Sequence, residues 1–116
     1  AIQDEAEVKR LSEELDVVGV HMFCRTPGTQ AVALCRNFAP RYAIPEEAAT
    51  GTSNGALVYY LYRHGLVELD KVYTVVQGEK MGRPSMISAQ VILKDSQPFV
   101  KVGGPAVTLV RGEIEL

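Results

Sequence analysis

The sequence predicts an α+β domain in which strands, mostly antiparallel, wrap around a central buried helix. Three observations predict it. Six runs rich in β-branched and aromatic residues are separated by glycine, proline and polar turns. The segment "NGALVYYLYRHGL" puts Ala56, Leu57, Val58, Tyr59, Tyr60, Leu61 and Tyr62 on every face of a helix, the pattern of a helix enclosed by other structure. The chain has 116 residues, 47% of them hydrophobic, which suits one domain over residues 1-116 with a core of its own.

In "DEAEVKRLSEEL", Val8, Leu11 and Leu15 recur three and four residues apart and predict a surface helix. The runs "DVVGVHMFCR" and "TQAVALCRNF" flank Pro27 and Gly28 and predict a hairpin. A turn at "TPGT" sets Cys24 opposite residues near Val32 rather than Cys35, so both thiols are expected to be reduced. Two prolines make "APRYAIPEE" a loop that ends the sheet. After the apolar helix, which Gly65 is placed to stop, come "KVYTVVQ", "SMISAQVIL", "PFVKV" and "PAVTLVRGEIEL", read as four further strands. Ile87, Ala89, Val91 and Leu93 form the inner row of the second of these.

Twelve basic against fourteen acidic side chains give a formal charge of -2, which removes the electrostatic case for a nucleic-acid binder and leaves a small anionic ligand open. No run approaches the roughly eighteen apolar residues of a membrane helix, and "AIQDEAEVKR" lacks the apolar core of a signal peptide. A cytoplasmic protein that engages neither membrane nor nucleic acid is the expectation. The cysteines lack the spacing of a zinc site.

The stretch "EEAATGTSNGAL" crowds carboxylates, hydroxyls and glycines directly before the apolar helix. With Thr50 as N-cap, the amides of Gly51, Thr52 and Ser53 have no partner within the helix and point out of its positive end, where a carboxylate or oxyanion is favoured. The same residues equally suit a plain cap and turn, and Glu46 and Glu47 equally suit solvated acids beside the dipole. Composition leaves both readings open.

Taken together and in this order, "RNFAP", "EEAATGTSNGALVYYL", "QGEKMGRPS" and "VGGPAVTLVRGEIEL" closely resemble the C-terminal half of PhzF-like, phenazine-biosynthesis-like proteins over nearly the whole chain. The resemblance implies a diaminopimelate-epimerase-like fold. In it two similar domains each wrap strands around a helix, and the site lies in the cleft where the helix N-termini face one another. It also implies isomerisation of a small hydroxylated amino acid by proton and double-bond movement, with no cofactor and no metal.

The family motif Glu-Asp-Pro-x-Thr-Gly-Ser falls on Glu46, Glu47, Ala48, Ala49, Thr50, Gly51 and Thr52. Glu47 replaces the usual aspartate with one more methylene, and Thr52 keeps the hydroxyl of the usual serine. By resemblance, Glu47 is the catalytic candidate and Thr50, Gly51, Thr52 and Ser53 bind substrate. Related racemases place a thiol where this chain has Thr50, and a threonine hydroxyl is too weak an acid for that chemistry.

The family's catalytic glutamate and its Gly-Gly-His histidine belong to the N-terminal half and are not in this chain, and His21 and His64 are read as structural. The expectation is therefore half of an isomerase site. It is completed around a small anionic substrate by an N-terminal half or by a second copy in a homodimer. The alternative is a non-catalytic ligand-binding or assembly module on the same fold. Arg83 in "MGRPS" is assigned to an interstrand loop in preference to an anion contact, and Tyr59, Tyr60 and Tyr62 to the core.

Overall fold

The computed structural model describes residues 4–115. Its elements are α1 (Glu5–Glu14), β1 (Val20–Arg25), β2 (Ala31–Ala39), β3 (Ile44–Glu47), α2 (Gly51–Arg63), β4 (Tyr73–Gln77), β5 (Ser85–Lys94) and β6 (Gln97–Gly103). The strands form one sheet in the order β1-β2-β4-β5-β6, with β3 also paired to β2. Every pairing is antiparallel except β2 with β4, the pair that α2 connects.

Alternation along the strands turns one row of small and branched side chains toward α2. Leu57, Val58 and Leu61 of the helix pack with Ala33, Cys35, Val75, Ala89 and Val91 of the sheet, and Val67 joins them from the connection that follows the helix. Gly55 lets α2 come close to β6, since a Cβ there would stand 2.9 Å from Val102 Cγ2. The helix ends as its sequence suggests: Gly65 adopts φ +66°, and the Leu66 N–H donates to the Leu61 carbonyl at 2.9 Å.

Four expectations need correction. The helix is not enclosed. Gly51, Thr52, Ala56, Tyr60 and Arg63 are exposed, because the sheet covers one side of α2 only. Tyr60 therefore leaves the core and meets Phe23 edge to face at 6.0 Å, while Tyr59 and Tyr62 are half-buried.

The segment "APRYAIPEE" is not all loop. After a 3-10 turn at Pro40–Tyr42 and a left-handed Ala43, Ile44–Glu47 pairs with β2, where an edge position tolerates Pro45. Arg36 grips Glu46 there in a fork, Nε to Oε1 at 2.8 Å and Nη2 to Oε2 at 2.7 Å. Those two hydrogen bonds hold the Glu46 carboxyl below the usual carboxylate range.

The C-terminal run "PAVTLVRGEIEL" is not a strand over its described residues. Val107, Leu109, Val110 and Ile114 are 80 to 87% exposed, because β-propensity yields a strand only where a partner edge is engaged. The helix α1 lies on the surface, as its sequence predicts. Leu11 and Leu15 are exposed and Ser12 is buried, since the helix is fastened by polar contacts. Arg41 donates to the Ser12 and Val17 carbonyls at 3.3 and 3.1 Å and to Asp16 at 3.0 Å.

The hairpin forms, in a register other than the one expected: Cys24 faces Leu34, and Cys35 faces Phe23. Successive side chains alternate, so the two thiols lie on opposite faces of the sheet, and both are free. Burial pushes the Cys35 thiol up to about 12, while Cys24 is exposed. Alkylation of the folded protein is thus expected to add one group, at Cys24, and unfolding to release the second. An intact mass showing two groups on folded protein would contradict this burial.

Candidate functional site

The site begins with two strands that meet end to end along one edge of β2. The last residue of β4, Gln77, pairs with Cys35, and the last residue of β3, Glu47, pairs with Asn37. On the other edge His21 of β1 also pairs with Asn37. His21, Asn37 and Glu47 therefore form one row on the face toward α2, whereas Arg36 and Glu46, one residue out of phase, point to the opposite face.

Four residues after Glu47 the chain enters α2, and the junction is fixed by buried amides. Asn54 and Gln77 are both fully buried. Asn54 Nδ2 donates to the Thr50 carbonyl at 2.8 Å and to Gln77 Oε1 at 2.7 Å. Gln77 Nε2 donates in turn to the Glu47 carbonyl at 2.7 Å and to Thr50 Oγ1 at 3.0 Å. His21 completes the chain, with Nε2 3.2 Å from Asn54 Oδ1 and Nδ1 3.0 Å from Asn37 Oδ1. Each buried polar group finds a partner, the condition under which such a network stiffens a site.

Thr50 has the extended backbone of an N-cap, φ −140° and ψ 103°, but its hydroxyl caps nothing because Gln77 engages it. The Asn54 N–H donates to the Thr50 carbonyl at 3.2 Å, so the amides of Gly51, Thr52 and Ser53 precede the first intrahelical bond. Glu47, Thr50, Thr52 and Ser53 line one cavity of about 480 Å³, together with His21 and Asn37 and an apolar wall that includes Phe38 and Ile44. Gly51 borders a separate depression beside Val100 and Val102.

The segment "QGEKMGRPS" supports this loop from below. Gly78 adopts φ +86°, and a Cβ there would stand 2.3 Å from the Arg83 carbonyl oxygen and 2.7 Å from that of Ala48. Only glycine lets the two segments approach so closely. Arg83 is exposed, with its backbone N–H bonded to the Gly78 carbonyl at 3.1 Å, and Gly82 takes φ +67°, as an interstrand turn requires. His64 lies beyond the last turn of α2, 4.3 Å from the Tyr60 ring.

His21, read from sequence as structural, bridges Asn37 and Asn54 and also lines the cavity, while Asn37, Asn54 and Gln77 lie outside the sequence reading. The available signal was polarity out of place. Asn54 interrupts a helix face occupied by Leu57, Val58 and Leu61, and Gln77 closes the apolar run of β4. Buried amides in such positions require partners.

The family model of phenazine biosynthesis-like proteins matches residues 2–112. The chain belongs to that family. Among phenazine biosynthesis-like relatives, a trans-2,3-dihydro-3-hydroxyanthranilate isomerase from Pseudomonas chlororaphis is 40% identical over 82 residues, which cover 70% of this chain and 30% of the relative. An isomerase of unassigned reaction from Clostridium acetobutylicum is 32% identical over 94% of this chain and 38% of its own length. One from Deinococcus radiodurans is 33% identical over 94% and 36% respectively. The chain thus spans about a third of the length of the curated relatives it matches. Among the described residues, no group of three or more His, Cys, Asp or Glu is arranged to hold a metal ion, and no helix is long and apolar enough to cross a membrane.

Proposed function

We propose that this domain supplies one wall of a phenazine biosynthesis-like isomerase site, on a diaminopimelate-epimerase-like fold, for cofactor-independent proton transfer on a small carboxylate substrate. The observation that carries the reading is the shared cavity: Glu47, Thr50, Thr52 and Ser53 border the same space at the start of α2. In this reading the first-turn amides, with the dipole behind them, hold the substrate carboxylate, and Glu47 accepts or returns a proton beside it. Gly51 contributes through its backbone, without a side chain in the way.

The opposite wall comes from the N-terminal half of a longer polypeptide, in keeping with relatives about three times as long. Where no such half is supplied, a second copy facing this one across the cleft is the remaining source. The experiment has two readouts. Titration with acetate, followed by amide NMR, is expected to shift Gly51, Thr52 and Ser53 most. Shifts centred on Arg83 would move the anion site to the "MGRPS" turn. In a two-domain protein given trans-2,3-dihydro-3-hydroxyanthranilate in heavy water, Glu47→Gln is expected to slow isomerisation about a hundredfold. Anion binding without any turnover would favour the non-catalytic binding module.

A further inference from the structure

We propose that His21, acting through Asn37, determines whether the cavity at the start of α2 accepts an anion. The inference rests on the reading of that cavity as a carboxylate site and adds the residues that set its polarity.

A backbone carbonyl can only accept, so the edge of Asn54 that faces the Thr50 carbonyl is its NH2 group. The second proton of that group goes to Gln77 Oε1, whose own NH2 is committed to the Glu47 carbonyl and Thr50 Oγ1. Asn54 Oδ1 is therefore left facing His21 Nε2, and that nitrogen carries a proton. On the other side of the ring, Nδ1 faces Asn37 Oδ1 at 3.0 Å. Nδ1 therefore carries a proton when Asn37 presents its oxygen to the ring and carries none when Asn37 presents its NH2 group.

The two asparagines differ in one respect. Asn54 is pinned by a carbonyl, whereas the Asn37 side chain has no hydrogen bond besides the one to His21 among the described residues. When Nδ1 loses its proton it becomes an acceptor, and the Asn37 amide must rotate to present its NH2 to the ring. Asn37 lines the cavity and stands in the row between His21 and Glu47. A charged ring therefore turns the Asn37 NH2 group toward the cavity and adds a positive charge beside it. A neutral ring turns the Asn37 oxygen there and adds none. The first state suits a carboxylate and the second opposes it.

The groups that face His21 are few. Asn37 comes from β2 and Asn54 from α2, neither titratable. Glu47 from β3 is the other titratable side chain lining the cavity, while Arg36 and Glu46 are paired to each other on the opposite face of the sheet. The pH dependence therefore has to be separated between His21 and Glu47.

The test uses the native chain labelled with 15N, with acetate as the probe, from about pH 5.5 to about pH 8.5, across the imidazole range. Acetate affinity, read at Gly51, Thr52 and Ser53, is expected to fall about tenfold from the acid to the alkaline end, as a charge-assisted donor is exchanged for an acceptor. Long-range ring spectra should show both His21 nitrogens protonated at the acid end and Nε2 alone at the alkaline end. The Asn37 side-chain amide should move in step. Glu47→Gln keeps the fall in affinity, and His21→Gln and Asn37→Ala abolish it. If those variants do not fold, the ring and Asn37 signals of the native chain still decide.

Binding that is equally tight at every pH overturns the His21 gate and leaves the carboxylate site standing. A fall that disappears in Glu47→Gln assigns it to Glu47 and also overturns the gate, as does a neutral ring protonated at Nδ1. No binding at any pH overturns both readings.

Discussion

Gln77→Leu is expected to destabilise the domain by about 3 kcal/mol and to remove acetate binding at the start of α2. The side chain is fully buried and satisfies three groups at once, namely Asn54 Nδ2, the Glu47 carbonyl and Thr50 Oγ1. Leucine of similar size removes a hydrogen bond from all three, leaving Asn54 Nδ2 only the Thr50 carbonyl, and each such loss at a buried group costs on the order of 1 kcal/mol or more. The loop between Glu47 and Gly51 then loses the contacts that fix its two ends. Urea denaturation measures the first effect and the acetate titration the second. A loss below about 1 kcal/mol would mean that water replaces the amide and that the network does not define the loop. Gln77→Glu is the companion variant. It keeps an acceptor for Asn54 but sets a carboxylate oxygen against the Glu47 carbonyl, and should cost at least as much.

Gly78→Ala is expected to cost about 3 kcal/mol or more, through two effects that a neighbouring residue separates. The first is conformational: φ of +86° is unfavourable for any residue with a Cβ. The second is a collision with the backbone of Arg83 and Ala48 at 2.3 and 2.7 Å, which no side-chain rotation relieves. Gly82, four residues on, has φ +67° and open space around its missing Cβ. Gly82→Ala should therefore show the conformational cost alone, about 1 to 2 kcal/mol. The difference between the two melting transitions isolates the collision. Equal losses would show that the Ala48 segment moves freely, and the cavity wall would then have no fixed position.

The elements legible in the sequence were those whose cause is local. The hairpin follows from Pro27 and Gly28 between two β-rich runs, and the end of α2 from Gly65. The glycines of "QGEKMGRPS" announced a turn, which their positive φ values explain. What escaped was set by distant partners. Ile44–Glu47 became a strand although Pro45 argues against one, because Arg36 in β2 anchors Glu46. The run after Gly104 has strand-forming residues and, among the described residues, no strand partner, so β-rich composition alone does not make it a strand. The all-round apolar pattern of α2 suggested enclosure, but a tyrosine such as Tyr60 keeps one side in solvent by packing edge-on against Phe23.

For the site, the family resemblance points to Glu47, Thr50, Thr52 and Ser53, and these residues line one cavity. Gly51 lines a separate depression. The residues that hold this arrangement were not legible. His21 and Asn54 are 33 positions apart and Asn54 and Gln77 are 23 apart, distances over which periodicity carries no information. A histidine in a strand reads as an ordinary interior residue until pairing sets it in register with Asn37.

The closure of the Asn54–Gln77 pair has an evolutionary consequence. In a network where each proton has one destination, a single substitution strands its neighbour, so the cost of changing one amide depends on whether the other has already changed. Removing both together can be milder than removing either alone, since paired apolar replacements leave fewer orphaned groups. Sequence drift at Asn54 and Gln77 is therefore epistatic. The two amides are therefore expected to change together rather than singly, even though 23 positions separate them along the chain.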